Sequence, residues 1–271
     1  MARIIFPTLF VFFLFIAFAV FADEPPSLAE VIEQTSYSDP IADVLDDIED
    51  TQIRDDALRE AALSYGARSG LAKRTWEIRT TLEQRQAYMD RIYDFKSLLI
   101  PAPSGLLIEP PIISQGEDAT LIEQGGQVAA VADRIFNINR NARIVSSPRN
   151  WRAYLEREWG EVKLPPDVLQ PKNDRERALW AKHMAEGWAE GTKQADEIFQ
   201  ADLNKLAADY TGMIRYRKLL AQGIVSPPFA LQIERGVTGG GSEMRVGDRA
   251  VQITGQSELQ TGAFEWQAVP R

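Results

Sequence analysis

Apolar residues recur at three- and four-residue spacings over two long stretches of this chain. In the first, Ile53, Ala57, Leu58, Ala61, Ala62 and Tyr65 share a helical face, and Leu71, Ile78, Leu82 and Ile92 continue it beyond Gly66 and Gly70. In the second, the series runs Leu179, Trp180, Met184, Trp188, Ala195, Ile198, Phe199, Leu203, Leu206, Tyr210, Met213, Ile214 and Leu219. A period near 3.6 over such lengths predicts amphipathic helices. Asn173 or Asp174 is a suitable cap for the second helix and Gly223 a natural end. As one piece it would run on the order of 65 Å at 1.5 Å per residue. Gly66 and Gly70 lie inside the first pattern, and Gly187, Gly191 and Gly212 inside the second. A glycine within a helix costs about 1 kcal/mol against alanine, so these positions are expected to mark bends or a close helix crossing.

Between and after the helices the pattern shortens. Pro101, Pro103, Pro110 and Pro111 bound two apolar runs, Leu106-Leu107-Ile108 and Ile112-Ile113, which read as strands. Residues 127–132 and 134–139 flank Asp133 and read as a hairpin, although the same letters also suit a short helix. Arg143-Ile144-Val145 is a further strand. Asn150 is placed to cap a helix carrying Trp151, Tyr154, Leu155 and Trp159, closed by Gly160 and Pro165-Pro166. In the tail, Phe229–Ile233, Met244–Val246, Ala250–Thr254 and Phe264–Val269 alternate apolar and polar residues, with a hairpin turn expected at Val246–Ala250. The predicted class is α+β: a predominantly helical body, a small antiparallel β portion and a strand-rich C-terminal end.

The ends set the domain plan. Arg3, the apolar run Ile4–Ala22 and the abrupt Asp23-Glu24-Pro25-Pro26 have the layout of a secretory signal peptide over residues 1–22, with an uncleaved anchor as the alternative. Residues 23–50 form an acidic leader whose main apolar points are Leu28, Val31 and Ile32, enough for one short helix. It is expected either to fold on a partner or to act as a flexible tether. Residues 51–271 make the main domain, with the helical body reaching to about 223 and the β-rich tail covering 224–271. No later segment is apolar enough to span a bilayer.

Composition narrows the function classes. The chain has no cysteine, so neither a disulfide nor a lipid on an N-terminal cysteine is available to it. Its formal charge of -9 argues against nonspecific binding to a phosphate backbone or adsorption to anionic lipid. Thr238-Gly239-Gly240-Gly241-Ser242 lacks the lysine of a phosphate-binding loop and precedes a strand-like segment, so it is expected to form the join between helical body and β-rich end. His183, the single histidine, shares a helical face with Glu186, Gly187 and Glu190, where an ion pair is favoured over a metal site. Of the six tryptophans, Trp151, Trp159, Trp180 and Trp188 are read as packing residues or interface anchors. No catalytic, cofactor-binding or metal residue is assigned.

Several segments together resemble the DotC family of type IVB (Dot/Icm) secretion systems and its counterparts in IncI-type conjugation machines. They are Arg54-Asp55-Asp56-Ala57-Leu58-Arg59-Glu60, Gly66-Ala67-Arg68-Ser69-Gly70-Leu71-Ala72, Asn150-Trp151-Arg152-Ala153-Tyr154-Leu155, and the block from Gly187-Trp188 to Gly241. Within that block Gln194-Ala195-Asp196, Arg217-Lys218-Leu219-Leu220-Ala221-Gln222, Val225-Ser226-Pro227-Pro228 and Gly236-Val237-Thr238-Gly239-Gly240-Gly241 are the diagnostic runs. The resemblance implies a non-enzymatic component of an outer-membrane core complex, facing the periplasm in a multi-copy ring with DotD-like and DotH-like partners and without cofactor. Family members are typically lipoproteins, so the missing cysteine implies attachment through partners or through a retained signal segment. The alternative from a different class is a periplasmic enzyme such as a peptidoglycan hydrolase, built on a perturbed carboxylate.

Overall fold

The computed structural model describes residues 24–35, 51–102, 105–122, 129–262, 264 and 266. The expected signal peptide and residues 36–50 of the leader lie outside them. Two helices dominate: α2 (Thr51–Gln84), following a short α1 (Leu28–Gln34), and α5 (Asp174–Ala221). At 48 residues α5 is about 72 Å long. Between them come α3 (Gln86–Ile92), β1 (Ile100–Pro101), β2 (Leu107–Glu109), β3 (Ile112–Ile122), β4 (Ala129–Arg140), β5 (Arg143–Val145) and α4 (Arg152–Leu155). After α5 come β6 (Phe229–Gly240) and β7 (Glu243–Gly255). The α+β class is as the sequence predicts.

α2 and α5 run parallel. Arg54 pairs with Glu176, the Gly66 backbone meets Met184, and Arg74 pairs with Asp196, so both chains advance together along the contact. The internal glycines explain the closeness. A Cβ on Gly66 or Gly70 would strike the carbonyl oxygens of Met184 and Trp188, and one on Gly187 or Gly191 those of Leu63 and Ala67. The four glycines therefore bring backbone against backbone, and neither helix is interrupted by them. Of the two expectations for these residues, the close crossing holds. Asn173 caps α5 by accepting from the Glu176 N–H at 2.8 Å, and Gly223 follows its end at φ 70°.

The apolar side chains collect in three clusters along α5. At its start, Val31 of α1 is wholly buried against Leu58, Ala62, Tyr65, Trp180 and Met184. The few apolar residues of the leader thus enter a groove already formed by α2 and α5, and α1 is fixed by a reciprocal Ser27/Glu30 capping box. In the middle, Leu82, Phe95, Leu98, Ile112, Trp151, Leu155, Leu206 and Met213 join α2, β3 and α4 to α5. At the far end Ile113, Tyr216, Leu219 and Val225 hold β3 and the start of the tail.

The strands form three small antiparallel sheets, ordered β1-β2-β5, β3-β4 and β6-β7. The sequence expectations change at several points here. Residues 129–140 are one continuous strand, pairing Ile113 with Ile138 and Gly116 with Ile135 on β3, so no hairpin turns at Asp133. Asp133 is solvent-exposed, and a polar residue on an open face does not break alternation. The helix after Asn150 is a single turn, because the backbone is extended from Glu156 and Trp159 turns away to stack under Arg79. In the tail, β6 and β7 form one hairpin that turns at Gly241-Ser242, while Gly247, at φ 72°, lies within β7 beside a register shift. Thr238–Ser242 is therefore the tip of the hairpin and not the join; the chain leaves the helical body through Gly223–Pro228. Phe264 and Trp266 lie outside any strand, and the rest of 263–271 lies outside the described residues.

Gly191→Ala tests the crossing. The methyl meets the Ala67 carbonyl oxygen, and overpacking of about 1–3 kcal/mol outweighs the roughly 1 kcal/mol gained in helix propensity. Urea unfolding is expected to show a net loss of about 1 kcal/mol, the difference between those two terms. Gly160→Ala, whose Cβ would meet nothing within 4 Å, is expected to stay within about 0.5 kcal/mol of the parent.

Candidate assembly surface

The surface begins with a buried charge. Glu109 ends β2 and is 1% exposed, yet its carboxylate is saturated by two guanidiniums. Arg149 donates from Nη2 to Oε1 at 2.6 Å and from Nε to Oε2 at 2.8 Å, and Arg143 of β5 donates at 3.1 and 3.2 Å. Arg149 reaches onward through Nη1 to Asp209 of α5 at 2.8 Å and to the Tyr154 hydroxyl, which donates to the same Asp209 oxygen at 2.7 Å. One guanidinium therefore links β2, the segment before α4, α4 itself and α5.

The electrostatics follow from that geometry. Burial pushes the Glu109 carboxyl up, but the hydrogen bonds from Arg149 and Arg143 outweigh it and hold the group below its ordinary 4.5. Burial also disfavours the charged form of Arg149, and the Glu109 carboxylate more than compensates, so its pKa rises. The Tyr154 hydroxyl is pushed up to about 12 by burial, with Asp209 adding to the rise. Glu176 behaves like Glu109: burial raises it, and the Arg54 guanidinium with the Lys172 N–H brings it lower.

This cluster fixes the sheet against which the C-terminal hairpin is rooted. β7 lies beside β5, and Gln256 donates to the Ala142 carbonyl at 3.4 Å. The base is clamped by a bridge between Val225 and Leu259 and by backbone hydrogen bonds joining Ser226 to Glu258 and Gln260 to Ile224. Past that base the two strands project with no third strand beside them among the described residues. Val237 is paired with Val246 and Gly239 with Met244, and directly opposed residues share a face. Val237, Met244 and Val246 are 62%, 72% and 73% exposed, a contiguous apolar patch near the tip. Nearer the base Phe229, Leu231 and Ile233 make a second exposed row, separated from the first by register shifts around Gly236.

Between the patches the charges balance across the strands. Glu234 faces Arg249 at 3.9 Å and Arg235 lies 4.0 Å from Asp248, while the Thr238 hydroxyl bonds Asp248 at 2.7 Å. A two-stranded ribbon with open edges and exposed aliphatic side chains is a template for another sheet or strand.

The residues singled out in the sequence fall elsewhere. His183 Nδ1 lies 2.8 Å from Glu186 on the same helix, the ion pair or hydrogen bond favoured by its spacing. Trp151 and Trp180 are core residues, each 1% exposed. Trp151 also donates to Asp90 at 2.6 Å. Among the described residues no three His, Cys, Asp or Glu side chains are grouped to hold a metal, and no helix is long and apolar enough to cross a membrane. Glu109, Arg149 and Asp209 were not singled out; the one local signal is an acid closing an apolar run before Pro110-Pro111.

A family model described as "Type IV secretory system, conjugal DNA-protein transfer", the TraI family of that system, matches residues 52–268. The chain belongs to this family. No curated protein matches it. The family region starts within the first turn of α2 and extends past β7, so the glycine crossing, the buried charge cluster and the hairpin all lie inside it.

Acid stability tests the cluster. Because the folded carboxyls of Glu109 and Glu176 are depressed, their contribution is complete above about pH 4.5 and is lost as pH falls through the lower folded values. Melting temperature is expected to decline below that pH. Glu109→Gln should melt lower at neutral pH and lose less on acidification, so the two curves converge. Arg149→Met, which strands a buried carboxylate, is expected to cost about 3–5 kcal/mol at neutral pH.

Proposed function

We propose that this member of the family is a non-enzymatic structural subunit, DotC-like in its role, in the outer-membrane core complex of a type IVB secretion or conjugation machine. It works on the periplasmic side in multiple copies, binds DotD-like and DotH-like subunits, and supports their placement at the outer membrane. Family membership supports the machine, and the resemblance of its segments to DotC supports the subunit. The observation that carries the assembly role is the rooted β6-β7 hairpin with its exposed Val237, Met244 and Val246.

A hairpin of two strands is marginal in water, so its length is best explained by a partner that covers it. The acidic balance of -9 suits protein contacts better than direct handling of a nucleic acid backbone. Attachment to the membrane then comes through the partners or through a retained signal segment, since the chain has no cysteine to carry a lipid.

Co-expression with the DotD-like and DotH-like subunits of the same system tests this reading. The parent chain is expected to co-purify with them after detergent extraction. Val237→Asp combined with Val246→Lys, which keeps opposite charges on the paired positions, should reduce recovery about tenfold, the equivalent of roughly 1.4 kcal/mol. Both sites are exposed, so the melting temperature should be unchanged. Undiminished co-purification of the variant would remove the hairpin from the interface, and absence of any complex with the parent chain would remove the assembly role.

A further inference from the structure

A cavity of about 260 Å³ lies in the helical body, remote from the hairpin. Its origin is the glycine crossing. Where Gly66, Gly70, Gly187 and Gly191 face one another the backbones touch; farther along, the facing residues become Leu71, Thr75 and Ile78 on α2 and Ala195, Ile198 and Phe199 on α5. The extended segment 156–162 roofs the groove between these side chains. Trp159 in that roof lies beneath the Arg79 guanidinium at 5.7 Å, and Arg157 ties the roof to Asp202 of α5 through hydrogen bonds of 2.7 and 2.8 Å.

The interior has little to offer a polar ligand. Its one side-chain hydroxyl from the two helices, on Thr75, already donates to the Leu71 carbonyl at 2.7 Å. The volume is just under the roughly 300 Å³ at which small-molecule pockets begin, and most of its wall is aliphatic and aromatic carbon, with the mutually paired Arg157 and Asp202 at one side. These features fit one aliphatic chain. The mouth is different. Arg68, Glu158 and Glu161 are exposed there, and none of the three takes part in an ion pair among the described residues; Arg68 donates only to the Ser64 carbonyl of its own helix. A rim that offers an unpaired cation and two unpaired anions complements a headgroup carrying both signs.

We propose that this cavity binds a single fatty acyl chain of a zwitterionic lipid, the chain between α2 and α5 and the headgroup at the rim, phosphate toward Arg68 and amine toward Glu158 and Glu161. The site does not depend on the hairpin or on the assembly reading. It gives the helical body a lipid contact of its own, one that requires no membrane-crossing helix.

The test uses the delipidated full chain and 14-carbon lysophosphatidylethanolamine below its micelle-forming concentration, read by native mass spectrometry and titration calorimetry. The parent is expected to take up one molecule saturably. Ile198→Trp and Thr75→Leu, which fill the cavity, should each weaken uptake about tenfold, while the Val237→Asp/Val246→Lys variant binds as the parent does. Tetradecanoate, which carries the chain and a negative charge without the amine, should bind about tenfold more weakly. If Ile198→Trp loses its helical circular dichroism, the half-buried Thr75→Leu decides. No saturable uptake by the parent, or undiminished uptake by the folded cavity variants, would overturn the site; tetradecanoate binding equal to the lysolipid would overturn the headgroup assignment.

Discussion

Backbone contact between two parallel helices governs this structure. Gly66 and Gly70 on α2 sit against Met184 and Trp188, and Gly187 and Gly191 on α5 against Leu63 and Ala67, leaving no room for a Cβ on either side. Such proximity maximises dispersion contact between main chains. It also dictates topology. Parallel neighbours need the chain to return to the starting end before the second helix begins, and residues 85–173 make that return. Strands β1 to β5, α4 and the extended roof are all part of the connection: β3 packs on α5 beyond the end of α2, and the roof runs back over both helices. Because α5 has 48 residues and α2 has 34, the surplus at the far end of α5 supplies the surface on which β3 and the tail are seated.

The second requirement is that this irregular connection hold one position. Short strands such as β1, β2 and β5 bury little apolar area alone. A charge cluster does the locating instead. Glu109 binds two arginines, and one of them, Arg149, also binds Asp209 and Tyr154. A buried ion pair is weak support for net stability, since desolvation offsets most of the attraction. Its directional hydrogen bonds nevertheless define the register between β2 and α5, and every buried carboxylate oxygen of Glu109 has a donor. The hairpin inherits its orientation from that register through the neighbouring β5 and the clamp at Val225 and Leu259.

The two long helices and the Asn173 cap were legible because helical periodicity and capping are local properties. The glycines were legible as special but not as contact points: a bend and a close crossing use the same letter, and the residues that distinguish them lie about 120 positions away. β4 and the hairpin were misread for one reason. Asp133 and Gly247 look like punctuation, yet an exposed Asp on an open face and a Gly at a bulge both leave a strand intact. The Glu109 cluster draws on partners 34 and 40 residues along and on Asp209 beyond them, so no window of sequence contains it. The cavity is more remote still, being a consequence of side-chain size on two helices and the path of a roof without regular structure.

Rigidity at the root and incompleteness at the tip divide the labour within the tail. A hairpin that served only to finish this fold would turn its apolar face toward α5, as β3 does through Ile112 and Ile113, which are 5% and 0% exposed. β6 and β7 instead leave Phe229, Leu231, Val237, Met244 and Val246 in solvent, and among the described residues no strand is hydrogen-bonded to their outer edges. Charged pairs between the strands and the register shifts near Gly236 and Gly247 limit indiscriminate sheet pairing. Exposed apolar surface tempered by such devices is the physical signature of selective association. On the proposed assembly role, the glycine crossing and the Glu109 cluster are the fixed mount and the exposed face of the hairpin is the surface a partner would cover.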